Sequence, residues 1–455
     1  MEQTSKLQLW YKKHKEKILE DYFRFLQFQS VGTDSKYRSQ MLLCADWVVN
    51  YCKEIGLDSY LIETPKYPVV FAKNNQVENA HTLLIYGHYD VQPVDPIELW
   101  NSDPFDPKIR DNKVYARGAA DDKGQIFYTM VAIRALIEIS GELPINIKLC
   151  IEGEEECGSI GLLEVMEQEK QTFSCDSLLV VDVGIPDVNT PAITLGARGL
   201  VQMEIEISNA KQDLHSGVHG GIVYSANRAM TELLSKLWDD NNHIQIPNFY
   251  DDVSPIPKKE FDTDSFDLQS YLKAFGVNVT AVEKGFSPQT ANWFLPSLEI
   301  NGIYGGYLGE GVKTVIPAIV HAKLSCRIVP NQIPEKVQQQ IKAFLSDNIP
   351  KGMDFKIKAH SSSYPIVGNS TSKLAKASML AYSEVYNKEC KKILTGSSIP
   401  IIWTMTQKLK CDVLLIGVGI AEDDIHSPNE HFGLDRFEKG FLIISKIIDQ
   451  LGKFD

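Results

Sequence analysis

The chain has 455 residues and carries 46 Lys plus Arg against 59 Asp plus Glu, a formal charge of −13, with 44% hydrophobic residues. That acid excess opposes the counterion release that drives nucleic-acid affinity, and no basic arm is present, so nucleic acid is not expected as a partner. The apolar runs are short, the longest lying near Val413 to Ala421, far below the roughly 20 residues that cross a bilayer, so neither a transmembrane helix nor a membrane partner is expected.

From Met1 to Asp21 the chain mixes Lys12, Lys13, Lys15 and Lys17 with Glu16 and Glu20, a pattern that predicts a helix and not a signal peptide. The 8 cysteines include no Cys-x-x-Cys pair, which argues against zinc-ribbon and thioredoxin-like folds and predicts free thiols in a reducing, cytoplasmic setting. His81 to Gly87 is a continuous apolar run, as expected of a strand buried on both faces of a parallel sheet. Lys123 to Ser140 spaces its apolar residues to leave one broad face, with Gly141 as the stop, and predicts a helix. Strands are expected again at Ile145 to Glu152 and Ser177 to Val183, so this part of the chain reads as an α/β layered domain.

After Gly199 the period changes. Val201, Met203, Ile205 and Ile207 alternate with polar residues, as do Val320, Ala322, Leu324, Cys326 and Ile328, which predicts half-buried antiparallel strands covered by helices near Ala226 to Leu237 and Pro334 to Ser346. Beyond Pro365 come a helical pattern, a buried run at Val413 to Gly417 and a final amphipathic helix ending near Leu451. The expected architecture is α/β: a mixed, mostly parallel sheet flanked by helices, formed by residues 1–198 and 366–455. An α+β lid or dimerisation domain, residues 199–365, is inserted into it.

Acids and histidines gather where strands should end: His88 and Asp90, Asp121 and Asp122 ahead of the first helix of the layered domain, Glu154 to Glu156, and Asp182. In an open α/β sheet the carboxyl ends of the strands form the binding crevice. Anions converging there are costly unless a cation neutralises them, and His beside Asp and Glu suits zinc or manganese. Each residue taken singly reads as well as a cap or a solvated charge; the joint pattern does not.

Several blocks carry a resemblance: Tyr86-Gly87-His88-Tyr89-Asp90-Val91-Gln92-Pro93, Arg117-Gly118-Ala119-Ala120-Asp121-Asp122-Lys123-Gly124, Glu152-Gly153-Glu154-Glu155-Glu156-Cys157-Gly158-Ser159, Asp213-Leu214-His215-Ser216-Gly217, Lys313-Thr314-Val315-Ile316-Pro317 and His426-Ser427-Pro428-Asn429-Glu430. In order and spacing they resemble the carnosinase and bacterial dipeptidase branch of the co-catalytic metallopeptidases, which also include glutamate carboxypeptidase and aminoacylase. The resemblance implies two divalent metal ions, zinc first and manganese second. His88, Asp121 and Asp182 would hold one and Asp121, Glu156 and His426 the other, Asp121 bridging them. It further implies that Asp90 accepts the other ring N–H of His88, that Glu155 shuttles the proton of the attacking water, and that His215 donates to the oxyanion. The bond after the bridging aspartate is cis in relatives.

Alignment on Gly158 and Ser159 leaves Glu154 as an extra, solvated acid, and Asp122 as a helix cap ahead of Lys123. His219 is expected to be an ordinary loop histidine. In dimeric relatives the residue matching His215 reaches into the partner's site, and the small inserted segment here implies a homodimer. Arg327 matches an arginine that binds the substrate's free carboxylate, and Thr314 and Ser398 match positions that contact substrate backbone. The chain departs from the family at Gly396-Ser397-Ser398, where relatives have a second glycine.

The activity so implied is hydrolysis of dipeptides, or removal of the C-terminal residue of short peptides. An alternative is hydrolysis of N-acyl amino acids. Asp182 favours the first, because relatives acting on di- and tripeptides have Asp there, whereas glutamate carboxypeptidase and desuccinylase relatives have Glu. A catalytically dead scaffold is disfavoured because every ligand position is filled.

Overall fold

The structure is a computed structural model describing residues 2–257, 260–261 and 266–454. The chain divides into two compact units, Met1–Gly196 with Gly368–Ile393 and Thr404–Asp455, and Ala197–Val367 with Leu394–Trp403. The segment carrying Ser398 thus belongs to the second unit.

The sheet of the first unit runs in the order Asp58–Ile62, Val69–Lys73, Asn146–Glu152, Thr82–His88, Ser177–Val181, Asp412–Ile416, Ala192–Ala197. Its middle is parallel: Thr82–His88 pairs in parallel with both Asn146–Glu152 and Ser177–Val181, which pairs in parallel with Asp412–Ile416. The outer pairs are antiparallel, so the sheet is mixed. Every residue of Ser177–Val181 is buried, as a strand covered on both faces requires.

The helix at Lys123–Ser140 ends at Gly141, whose φ of 83° closes it in the left-handed region while its N–H bonds to Ile137 O. Its expected single apolar face is not what forms. From Lys123 to Ile133 every residue is buried, because this helix is packed between the sheet and the helices Glu2–Leu26 and Leu434–Leu451. Polar Gln125 and Thr129 are enclosed with it. The N-terminal helix is described from Glu2 onward; Met1, where the sequence pattern starts it, lies outside the described residues.

The second unit holds an antiparallel sheet in the order Ser297–Gly305, Ile319–Ile328, Gly199–Ser208, Asp354–Ser363. Strict alternation puts Val201, Met203, Ile205, Ile207, Ala322, Leu324 and Cys326 on one face. There they pack with Met230 and Leu233 of the Ala226–Leu234 helix and with Val337, Ile341 and Leu345 of Pro334–Asn348. Each buried Val, Leu, Ile or Met among them contributes about 1.5–3 kcal/mol by leaving water. Among the described residues no helix is long and apolar enough to cross a membrane.

Candidate metal centre

The parallel strands of the first unit deliver acids and histidines from their carboxyl ends, where loops must turn and side chains are free to converge. His88 is the last residue of Thr82–His88, Glu155 and Glu156 follow Asn146–Glu152 in a short helical turn, and Asp182 follows Ser177–Val181. Asp121 comes from the loop before Lys123–Ser140, and His426 from the loop after Asp412–Ile416. These loops are tight. A Cβ on Gly124 would lie 2.0 Å from Ala119 O and one on Gly417 1.7 Å from Val183 O, so only glycine permits either approach. The Asp121–Asp122 peptide bond is cis, and His426 sits at a φ of 60°.

Two groups of three form here, His88, Asp121, Asp182 and Asp121, Glu156, His426, with the ligand atoms of each group within 4.8 Å of one another. Asp121 is common to both and divides its oxygens. Its Oδ1 lies 3.1 Å from His88 Nε2, and its Oδ2 lies 2.8 Å from His426 Nε2. Asp182 Oδ1 is 3.7 Å from His88 Nε2, and Glu156 Oε1 is 3.2 Å from His426 Nε2.

These carboxylates strengthen each histidine's hold on its proton. Burial would lower His88, but hydrogen bonds to Asp121, Asp182 and Asp90 raise it well above its ordinary value. Hydrogen bonds to Asp121 and Glu156 push His426 up to about 10. Asp121 is correspondingly lowered: burial acts against ionisation, and the hydrogen bonds from His426 and His88 outweigh it. Asp182 rises to about 6, chiefly through burial. The raised histidines and the lowered Asp121 mark a site where clustered carboxylates call for positive charge. Two divalent cations would supply it, and carboxylate with imidazole is a donor set suited to them. The residues present therefore fit a pair of metals.

Further residues hold the ligands in place. His88 Nδ1 lies 3.0 Å from the main-chain O of Asp90 and 3.3 Å from its Oδ1, so the carbonyl is the nearer acceptor and the carboxylate stands beside it. Asp90 Oδ2 accepts the Glu156 N–H at 3.1 Å, linking the two triads from behind. Gln92 Nε2 donates to Glu156 Oε2 at 2.6 Å. Glu430 accepts from Arg117 Nη1 and from the N–H groups of Gly118, Ala120 and Asp121. Sequence reasoning gave Gln92, Arg117 and Glu430 no role, although all three stand inside the quoted blocks.

Glu155 is next to these ligands but in neither triad. Burial raises its carboxyl well above the usual range, His88 opposes that shift, and Asp182 and Glu156 add to it. Two expectations for its neighbours need correction. Glu154 is not solvated: it is buried and accepts hydrogen bonds from Tyr67 N and Thr64 Oγ1 of one turn and from Gly161 N, so its carboxyl tethers two separate segments. Asp122 does occupy the N-cap position of Lys123–Ser140, but its side chain makes no capping hydrogen bond. It is buried with Oδ2 accepting the His88 N–H at 3.1 Å, and burial, with Asp182 nearby, raises it well above its ordinary value.

In the second unit His215 is exposed, and its Nδ1 accepts the Gly217 N–H at 3.0 Å, which leaves the proton of the neutral ring on Nε2. His219 ends the one-turn helix Ser216–His219 and is not in a loop. Thr314 is exposed and its carbonyl accepts the Ser216 N–H, tying its segment to that of His215. Arg327 Nη1 donates to Ser398 Oγ at 2.7 Å, and that hydroxyl donates to Arg198 O at 2.6 Å. Arg198, which sequence reasoning passed over, is itself buried, with Nε bonded to Gly396 O.

The model of Peptidase family M20/M25/M40 matches residues 84–450. Cys-Gly metallodipeptidase dug1 of Schizosaccharomyces pombe is 31% identical, over 96% of this chain and 96% of its own. Beta-Ala-His dipeptidase of Homo sapiens is 34% identical, over 80% of this chain and 74% of its own. The crystal structure of an M20 family metallo-carboxypeptidase from Sulfolobus solfataricus superposes with a TM-score of 0.86 at 30% identity, covering 96% of this chain and 99% of that one. With the match spanning most of the chain and both compact units, this protein belongs to peptidase family M20/M25/M40.

Proposed function

We propose that the chain hydrolyses the peptide bond of dipeptides, or the C-terminal bond of short peptides, at a centre of two divalent metals held by His88, Asp121, Asp182, Glu156 and His426. The observation that carries this reading is the division of Asp121, one oxygen toward each histidine, beside a carboxyl, Glu155, that is left outside both triads. Bound divalent cations supply acidified water and polarisation of the scissile carbonyl. Glu155 accepts a proton from the attacking water and passes it to the leaving nitrogen, a task its raised affinity for protons suits. Asp90 fixes the His88 ring. Arg327 binds the substrate's free carboxylate, with Ser398 holding the guanidinium and Thr314 contacting substrate backbone.

His215 presents Nε2–H to the oxyanion, and we assign that contact to a homodimer in which the second unit, residues 199–365 as lid, serves the partner's site. Exposed apolar residues of that unit, Ile222 at 80%, Leu308 at 82% and Val312 at 94%, support self-association. Zinc is the first choice of metal and manganese the second. A reducing, cytoplasmic location is supported by eight free cysteines. The named relatives are dipeptidases and a carboxypeptidase, which favours peptides over N-acyl amino acids. The test is hydrolysis of Cys-Gly, β-Ala-His and other dipeptides against N-acetyl and N-succinyl amino acids, with zinc or manganese supplied. Turnover confined to the N-acyl compounds would overturn the proposal.

A further inference from the structure

Glu430 uses every acceptor it has on one short loop. Its Oε2 accepts from Arg117 Nη1 at 2.8 Å and Gly118 N at 2.9 Å, its Oε1 from Ala120 N at 2.9 Å and Asp121 N at 3.1 Å, and its main-chain O from Ala116 N at 3.1 Å. Both Glu430 and Arg117 are 1% exposed. The loop they enclose ends in Asp121, the residue shared by the two triads, and Glu430 itself stands four positions after His426.

We propose that Glu430 is a positioning residue that assembles the metal centre before any metal arrives, by fastening the Ala116–Asp121 loop to the segment that carries His426. The inference rests on the metal-centre reading above.

The antiparallel pair Lys113–Tyr115 with His431–Gly433 brings the two segments side by side, but residues 116–121 and 424–430 themselves lie outside any helix or strand. The loop lies between the strand Lys113–Tyr115 and the helix Lys123–Ser140, so its inward N–H groups have no helix or sheet partners. The His426 segment is equally irregular, with Asp424, His426 and Asn429 all at positive φ. A carboxylate is the one side chain that accepts several N–H groups at once on two oxygens, and such charge-assisted bonds are the strong ones. Its charge would add to the repulsion among the triad acids were it not paired, and Arg117 pairs it. Arg117 is fixed in turn, with Nη2 bonded to Pro93 O and the guanidinium 5.3 Å from the centre of the Trp100 ring. Asn429 completes the clamp: its Oδ1 accepts the Asn101 N–H and its Nδ2 donates to Leu99 O. Asp121 and His426 are thereby set in register by contacts that include no metal ligand side chain.

The experiment uses the full chain, stripped of metal and titrated with cobalt(II) chloride, following visible absorption and bound cobalt per chain. Wild type is expected to take up two ions. Glu430→Gln keeps the shape but replaces one acceptor oxygen with an NH2 that faces N–H groups, and is expected to weaken cobalt binding about 10- to 100-fold and to alter the absorption bands. Two ions bound with affinities and spectrum unchanged in Glu430→Gln would overturn the inference while leaving the metal centre standing; a wild type that binds no cobalt would instead sink the metal-centre reading. Should the variant fail to fold, hydrogen exchange on metal-free wild type decides. Protection of the Gly118, Ala120 and Asp121 amides before cobalt is added supports a preassembled frame. Protection that appears only after cobalt is added overturns it.

Discussion

His426 Nε2 lies 2.8 Å from Asp121 Oδ2, within hydrogen-bond distance of the oxygen that Asp121 turns toward the second triad. With His426 pushed up to about 10, the metal-free ring is charged throughout the neutral range, and His88 is raised as well. A metal binds only the neutral imidazole. Loading should therefore release protons, and the apparent metal affinity should climb as pH rises toward 10. Calorimetric titration in buffers of different ionisation enthalpy reads the number released; uptake with no proton release would show that the histidines are not ligands.

Glu155 makes a separable prediction because it belongs to neither triad. Glu155→Ala should keep two metals per chain yet lower kcat by about 10²–10⁴-fold, as expected when a proton shuttle is removed. Chelation should abolish hydrolysis in wild type, with zinc or manganese restoring it. A variant that turned over at the wild-type rate would move the shuttle to another carboxyl.

Arg327 bonds to the Ser398 hydroxyl, and among the described residues no acid stands within ion-pair distance of it. Burial lowers its pKa from the ordinary arginine value, a cost that an incoming carboxylate would offset. Arg327→Met should raise KM for free dipeptides by a factor of roughly 10 to 100, the worth of a charge-assisted bond of about 1.5–3 kcal/mol. C-terminally amidated dipeptides should be hydrolysed equally by both proteins. Equal losses on both substrates would place the arginine's role elsewhere.

Glu152 governs a pH effect on stability. It is buried, its Oε1 accepts the Tyr86 hydroxyl, its Oε2 has no partner, and burial pushes its pKa up to about 8. A folded carboxyl that holds its proton more tightly than the unfolded one, at 4.5, lowers stability progressively as pH rises from about 4.5 to about 8. Glu152→Gln keeps the Tyr86 bond and cannot ionise. Its melting temperature should gain on wild type across that window, with the difference levelling off above it; parallel melting curves from pH 5 to 8 would refute the assignment.

The sequence discloses these features unequally, for reasons that lie in the reach of each interaction. Strands such as Ser177–Val181 announce themselves because burial on both faces forces an unbroken apolar run, and the alternation along Gly199–Ser208 reports one covered face. The ligand types and their placement after strands are also legible, since few other needs collect so many acids at strand ends. The environments of Glu154 and Asp122 are not. Their hydrogen-bond donors, Tyr67 and Gly161 for one and His88 for the other, come from separate segments that no local pattern connects. Periodicity misreads Lys123–Ser140 similarly, because it registers a helix's own residues and not the layers laid over it. Glu430 sits inside a quoted block, but its task depends on a loop more than three hundred residues earlier in the chain.

The strand Asp412–Ile416 lies between Ser177–Val181 and Ala192–Ala197, and the loop after it supplies His426. A nascent chain that has not reached residue 412 therefore lacks the strand that stands between these two in the sheet. It can offer His88, Asp121 and Asp182 to an ion, but not the second triad. Completion of the hydrophobic layer and of the second candidate triad thus depend on the same late segment.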